Sequence, residues 1–229
     1  TINAIQEAGA GYSQTETTDL TQWRFMGMYT SNIAMDATGQ FIYRSFLFAA
    51  ENNFVQRSID GGATWTNIIT DGNSEVLGIS GNGLVVTIRN KYSLDGGLTW
   101  DTFNFPVPSS EFNQIKLNNI GSKWYAWTEI DSTQHVFHTT VDYGQTWDLV
   151  YSYSLDVNNI CMSDNGSILM ICTKTGVYIS VNGGSWNFRA PLNIKQYSTD
   201  AICTSADCDG SGNTIYLSVK DGYIYRSED

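Results

Sequence analysis

Ser58-Ile-Asp60-Gly-Gly62-Ala-Thr-Trp65, Ser93-Leu-Asp95-Gly-Gly97-Leu-Thr-Trp100 and Thr140-Val-Asp142-Tyr-Gly144-Gln-Thr-Trp147 are three copies of one eight-residue frame. A fourth, Ser180-Val-Asn182-Gly-Gly184-Ser-Trp186, is one residue shorter and carries Asn in place of Asp. Thr17-Thr-Asp19-Leu-Thr-Gln-Trp23 is a poorer copy near the start, and Ser227-Glu-Asp229 reads as the opening of another. The Asp or Asn position falls at 19, 60, 95, 142, 182 and 229, a mean interval of 42 residues. Self-similarity at that period belongs to propellers built of four-stranded blades, so five intervals predict five blades.

Within each interval the order of features is constant. A short apolar strand follows the tryptophan, then a loop, then a run such as Val76-Leu-Gly-Ile79, Ile115-Lys-Leu117, Ile160-Cys-Met162 or Ala201-Ile-Cys203. A polar turn containing glycine comes next: Asp36-Ala-Thr-Gly39, Ser80-Gly-Asn-Gly83, Asn118-Asn-Ile-Gly121, Ser163-Asp-Asn-Gly166, and Ala206 to Gly212. Two further strands lead into the next frame, so each repeat reads as a four-stranded antiparallel meander. The last repeat has three strands, while Trp23 to Tyr29 supplies a spare one. Pairing the spare strand with Tyr223 to Arg226 would close the ring and remove two exposed sheet edges. Residues 1–16 are read as an arm or leader and residues 17–229 as a single five-bladed β-propeller, all-β throughout.

The frame Ser/Thr-x-Asp-x-Gly-x-Thr-Trp resembles the Asp-box, or BNR, repeat of sialidases and many other propellers. The resemblance covers roughly residues 17–229 and implies that the boxes lie at the hairpin between the third and fourth strands of a blade, away from the ligand face. The residues give the same answer by their chemistry. An Asp carboxylate and a Ser or Thr hydroxyl can clamp a turn by accepting backbone N–H groups. Glycine supplies positive φ, and the tryptophan is expected to bury its ring beneath the next strand. Asp60, Trp65, Asp95, Trp100, Asp142, Trp147, Asn182 and Trp186 are therefore read as structural.

Sialidase activity does not follow from the boxes. Such enzymes need three arginines gripping a carboxylate and a tyrosine nucleophile with a partner glutamate. Here Arg57 and Arg226 stand at equivalent positions before boxes, as blade-edge residues, and Phe188-Arg189-Ala-Pro191 follows a box where the sialidase signature precedes the first. Five blades are also fewer than the six of that fold.

A chain of 229 residues with 41% hydrophobic content can bury a large core. Its charge of -11 argues against nucleic acid and anionic lipid as partners, because both would repel it. No apolar stretch approaches the roughly 20 residues of a membrane-spanning helix, so no membrane insertion is expected. Cys161, Cys172, Cys203 and Cys208 fall in the last third. They are read as free thiols packed as small apolar groups, although Cys203 and Cys208 could close a small loop. His135 and His138 are three apart on a strand and point to opposite sides, a poor metal pair.

No metal or cofactor is expected. Asp207-Cys-Asp209-Gly-Ser211 resembles the opening of a calcium loop but lacks the later bidentate Glu, which leaves calcium at Asp207 and Asp209 a weak alternative. With five tryptophans spent on boxes, Trp124 and Trp127 remain as possible platforms, on opposite faces of one strand. Tyr153 and Tyr197, near predicted face loops, and the loop carboxylates Glu111 and Asp131 complete the candidate ligand-binding set. Those loops also carry Glu51, Asp71, Glu75, Glu129, Asp156, Asp200 and Asp221. The reading reached is a non-catalytic module that binds a glycan or protein surface through loops opposite the boxes, in an extracellular or virion-surface setting and as part of a larger assembly. The alternatives are a glycoside hydrolase using two loop carboxylates and a structural component of a complex such as a virion attachment apparatus.

Overall fold

The computed structural model describes residues 30–46, 54–69, 76–107, 112–131, 134–153, 157–189, 203–220 and 224–228. The first sheet is β1 (Thr30–Met35), β2 (Ile42–Phe46), β3 (Phe54–Ser58) and β4 (Thr66–Ile69). The second is β5 (Val76–Ile79), β6 (Val86–Ile88), β7 (Lys91–Ser93) and β8 (Asp101–Thr102), and the third is β9 (Gln114–Leu117), β10 (Trp124–Asp131), β11 (Gln134–Thr140) and β12 (Asp148–Tyr153). The fourth is β13 (Val157–Met162), β14 (Ile168–Thr173), β15 (Gly176–Val181) and β16 (Asn187–Arg189). The fifth has three strands among the described residues, β17 (Cys203–Cys208), β18 (Thr214–Val219) and β19 (Ile224–Glu228). Every sheet is an antiparallel meander in chain order, and the first strands β1, β5, β9, β13 and β17 pack successively on one another. The spare strand from Trp23 to Tyr29, the box at Asp19 and the division at residue 16 lie outside the described residues.

The turn after the first strand is built the same way in all five sheets. The side chain that opens it accepts a backbone N–H five residues on: Asp36 from Phe41 (2.9 Å), Ser80 from Val85 (3.0 Å), Asn118 from Lys123 (3.0 Å), Ser163 from Ile168 (3.0 Å) and Asp209 from Thr214 (3.2 Å). These turns also join neighbouring sheets. Ala37 donates its N–H to the Gly81 carbonyl (3.0 Å), Asn82 to Asn119 (3.2 Å), Asn119 to Asp164 (2.8 Å) and Asp164 to Gly210 (2.8 Å). A belt of backbone hydrogen bonds thus runs across one face of the five sheets.

In an antiparallel meander the first and third turns lie at the same end, so the boxes share that face. Gly61 donates to Gln40 (3.2 Å) and Gly96 to Leu84 (2.8 Å), tying the boxes of the first two sheets to the belt turns of their own sheets. In the three complete boxes the clamp is the same. Ser58 Oγ accepts the Gly62 N–H (2.8 Å) and donates to Asp60 (2.8 Å), which in turn accepts the Thr64 hydroxyl (2.6 Å) and N–H (2.8 Å). Ser93 with Asp95, and Thr140 with Asp142, repeat it. The left-handed positions are Gly61 and Gly62, Gly96 and Gly97, and Tyr143 and Gly144. Tyr143 takes a conformation that glycine holds in the other two boxes, at a steric cost that its stacking on Tyr92 (5.9 Å) helps offset. In the shortened fourth box the left-handed pair is Asn182 and Gly183, and Ser180 Oγ donates to the Gly184 carbonyl (2.8 Å) instead of accepting an N–H. Losing one residue has shifted the turn by one position.

The box tryptophans pack against the preceding sheet, where the sequence suggested the following strand. Trp100 joins Tyr43 and Ile68 of the first sheet, Trp147 meets Phe112 (4.9 Å) and Phe103 of the connection from the second, and Trp186 meets Tyr151 of the third (5.2 Å). The ring points away from the strand it introduces because its N–H is held at the box: Trp65 donates to Gly62 and Trp100 to Gly97. Trp147 instead reaches the Asn104 carbonyl (2.8 Å). The Trp65 ring carries the Arg44 guanidinium at 3.8 Å.

Hydrogen bonds from the Thr64 and Thr146 hydroxyls and backbone hold Asp60 and Asp142 at a pKa of about 2, below the usual 3.8, and Asp95 is depressed further by the Thr99 N–H and hydroxyl. A depressed carboxylate adds stability above its unfolded pKa and loses it as pH falls through the folded one. The contribution of these three carboxylates is therefore expected to be level above about pH 5 and to decline progressively as the pH falls from there through about 2. Asp95→Asn should remove part of that decline, as read by the thermal midpoint against pH.

Candidate functional site

The face opposite the boxes carries the hairpins between second and third strands and the connections between sheets. Its most extended described element is the β10–β11 hairpin, whose strands of eight and seven residues outreach the three-residue β6 and β7 and the five-residue β2 and β3. The length follows from burial on both faces. Trp124 and Ala126 pack toward the second sheet, and Tyr125, Trp127 and Phe137 toward the fourth, so the ladder is packed on both faces as far as Thr128.

At the tip the pattern changes from five buried residues to three exposed ones, Glu129, Ile130 and Asp131. A bulge places Glu129 opposite His135 and Asp131 opposite Gln134, leaving Ile130 out of the ladder and 44% exposed. Asn113, in the connection from the second sheet, fixes the edge by accepting the Glu129 N–H (2.9 Å) and donating its own N–H to the Trp127 carbonyl (3.0 Å). Below this rim the Trp127 and His135 rings lie 5.4 Å apart, both buried. Among the described residues Trp127 Nε1 and His135 Nδ1 have no hydrogen-bond partner, an arrangement with a real desolvation cost. The tip therefore exposes an apolar residue flanked in sequence by two carboxylates, at the end of a ladder packed on both faces. Such a surface suits contact with hydroxyl groups, N–H donors or cationic side chains together with an apolar patch.

The candidate residues have separate fates. Trp124 is fully buried, its ring edge-on to Tyr92 (5.7 Å) and Phe103 (5.5 Å) and its N–H given to the Gly121 carbonyl (2.9 Å). Trp127 is 6% exposed. The expected opposite orientation holds, but a neighbouring sheet covers each face, so neither ring is a platform. Asp131 stands at the hairpin tip with Glu129. The backbone of Tyr153 pairs with that of His135. Tyr197 and Glu111 lie outside the described residues, as do Glu51, Asp71, Glu75, Asp156, Asp200 and Asp221. Arg57 donates to the Gly96 carbonyl of the next box, a structural contact between sheets. His135 and His138 are both buried on opposite sides of β11, and burial lowers the His138 pKa. Ile130 escaped the sequence reading and His135 entered it only as half of a poor metal pair, because the bulge that brings them near one another has no signal in the sequence.

Asp209 caps its own turn, also accepting the Ser211 hydroxyl (2.9 Å), as the equivalent side chains do in the other sheets. Asp207 instead lies with two thiols. The four cysteines are free: Cys161, Cys172 and Cys203 are buried and Cys208 is half-buried. Cys208 faces Cys161 across the fourth and fifth sheets.

No family model matches the chain, and no curated protein matches it. Solved structures do. The GH74 enzyme of Niastella koreensis aligns over 86% of this chain and 44% of its own length, with 12% identity and a TM-score of 0.53. YCF48 bound to D1 peptide aligns over 86% of this chain and 66% of its own, with 15% identity and a TM-score of 0.53. An oligogalacturonate lyase in complex with manganese aligns over 85% and 61%, with 11% identity and a TM-score of 0.62. The chain is a β-propeller. That likeness is one of fold, and the chain spans less than two thirds of the length of each of these three.

Trp124→Ala is expected to destabilise the chain by about 3–5 kcal/mol, because it empties the aromatic cluster between the second and third sheets. Ile130→Ala at the tip should change stability by less than about 0.5 kcal/mol. Urea unfolding of the two variants checks the contrast between core and rim.

Proposed function

We propose that this chain is a non-catalytic binding module that recognises a glycan or protein surface through the face opposite its boxes, with the β10–β11 tip as a main contact. The observation that carries this reading is Ile130 held out of the ladder between Glu129 and Asp131, on a hairpin made stiff by packing on both faces. A rigid support with an apolar centre and charged flanks makes contacts at low entropic cost. Similar folds carry a bound peptide in the YCF48 complex and belong to an enzyme in the GH74 structure, so the choice rests on this chain's own surface.

The same reading includes a closed five-bladed ring of Asp-box type, completed by Trp23 to Tyr29 beside β19. Supporting it are the belt linking five sheets in order, the fifth sheet's shortfall of one described strand, and the exposed apolar residues at the two ends of the stack, Ile33 and Met35 on β1 and Ile224 on β19. Deleting residues 1–29 should lower the thermal midpoint or cause oligomerisation. A truncated chain that stays monomeric with an unchanged midpoint rejects the closure.

A glycan array and a protein-capture assay, run beside a fluorogenic glycoside panel, test the function. Saturable binding that weakens at least about 10-fold in a Glu129→Ala, Ile130→Ala, Asp131→Ala triple variant is the expected result. Turnover of any glycoside, lost in Asp131→Asn, would replace binding by hydrolysis.

A further inference from the structure

The fourth and fifth sheets are joined by their first strands. Asn159 of β13 uses its amide as a substitute for a strand ladder, donating to the Ala206 carbonyl (2.8 Å) and accepting the Ala206 N–H (3.1 Å) of β17. Asn158 donates to the Cys203 carbonyl. With these strands fixed in register, Cys161 near the end of β13 comes to face Cys208 at the end of β17, forty-seven residues away in sequence. Asp207 completes the group: the Sγ atoms of Cys161 and Cys208 and a carboxylate oxygen of Asp207 all lie within 4.8 Å of one another.

We propose that Cys161, Cys208 and Asp207 form a site for a thiophilic divalent cation of the zinc class, built between the fourth and fifth sheets beside the belt turn at Asp209. Two sulfurs and one oxygen are the donor set such an ion prefers, whereas calcium and magnesium take oxygen alone. Sulfurs about 2.3 Å from a tetrahedral ion stand roughly 3.8 Å apart. Donors within 4.8 Å of each other therefore need to draw in by about 1 Å or less, within the range of side-chain rotation. Cys161 is buried, Cys208 half-buried and Asp207 exposed, so the site has a closed inner wall and an outer side open to solvent for entry and a fourth, water ligand.

The surroundings act on the two thiols in opposite directions. The Cys161 thiol donates to Cys208, which pulls the Cys208 pKa below its ordinary value and pushes that of Cys161 above it. The Lys116 ammonium, on β9, favours both thiolates, while the Asp207 carboxylate opposes both and that of Asp209 opposes Cys208. One Asp207 oxygen accepts the Cys208 N–H (3.0 Å), which orients the carboxyl group. Binding breaks two S–H bonds, forms two metal–sulfur bonds and releases up to two protons to solvent, with no change in oxidation state. Cys172 and Cys203 provide an internal comparison. Burial, with the neighbouring Cys203 adding to it, raises the Cys172 thiol to about 12, and among the described residues no carboxylate joins them.

The full chain, reduced with a non-thiol phosphine, is titrated with cadmium chloride and followed by the ultraviolet thiolate-to-cadmium charge-transfer band. The expected result is a band that saturates at one ion per chain, is displaced by zinc, and is absent from Cys161→Ser and Cys208→Ser. It should persist in Cys172→Ser and Cys203→Ser, and Asp207→Asn should keep the band with affinity reduced about 10-fold or more. Affinity should fall by between about 10-fold and 100-fold for each unit that pH is lowered, as one or two protons compete with the ion. Near-ultraviolet circular dichroism of Cys208→Ser, whose residue is half-buried, separates ligand loss from misfolding. A band that fails to saturate at one ion, or that survives in folded Cys208→Ser, overturns the proposal. So does a Cys161–Cys208 disulfide in the chain as purified, since it would consume both sulfur ligands.

Discussion

Neighbouring sheets approach one another at the belt turns as closely as a missing side chain allows. The turn glycine of each later sheet lies beneath the residue that follows the turn in the sheet before it. A Cβ on Gly83 would stand 2.7 Å from the Phe41 ring, one on Gly121 2.3 Å from Val85, and one on Gly212 2.6 Å from Ile168. Each of these glycines also has φ between 74° and 78°, where L side chains are strained. Glycine is thus required for both the turn and the approach, and the belt hydrogen bonds form only at that separation. The inter-sheet cores depend on it, because the box tryptophans reach the preceding sheet across the same gap.

From that spacing follow the two features with chemical content. Asn159 can stand in for a ladder between β13 and β17 only if those strands run side by side, and its bonds to Ala206 are what align Cys161 with Cys208. On the third sheet, coverage by neighbours on both sides turns Trp124 and Trp127 into core and lets β10 and β11 extend past their counterparts as a stiff hairpin. Past Thr128 the burial ends, and Glu129, Ile130 and Asp131 are exposed.

Much of the fold was legible because its determinants are local. The Ser58–Asp60–Thr64 clamp and its two repeats lie within a few residues of sequence, so spacing and residue type sufficed to identify them as turns. The one-residue deletion before Trp186 was likewise visible in the sequence, and the shift of the left-handed pair to Asn182 and Gly183 is its consequence. The candidate sites were far less legible. Trp124 and Trp127 resembled spare platforms since alternation along a strand gives the side a ring faces and not what covers that side.

The sequence by itself determined the repeat, the four-stranded meander and the structural role of Asp60, Asp95 and Asp142, because each rests on contacts between residues close in the chain. Only the tertiary structure decided which rings are buried, that Ile130 leaves its ladder over a sealed Trp127–His135 pair, and that Cys161 meets Cys208 and Asp207 rather than Cys203 meeting Cys208. These depend on the register of one sheet against another. That register is set by turn glycines and amide bridges many residues away, where no spacing rule in the sequence reaches.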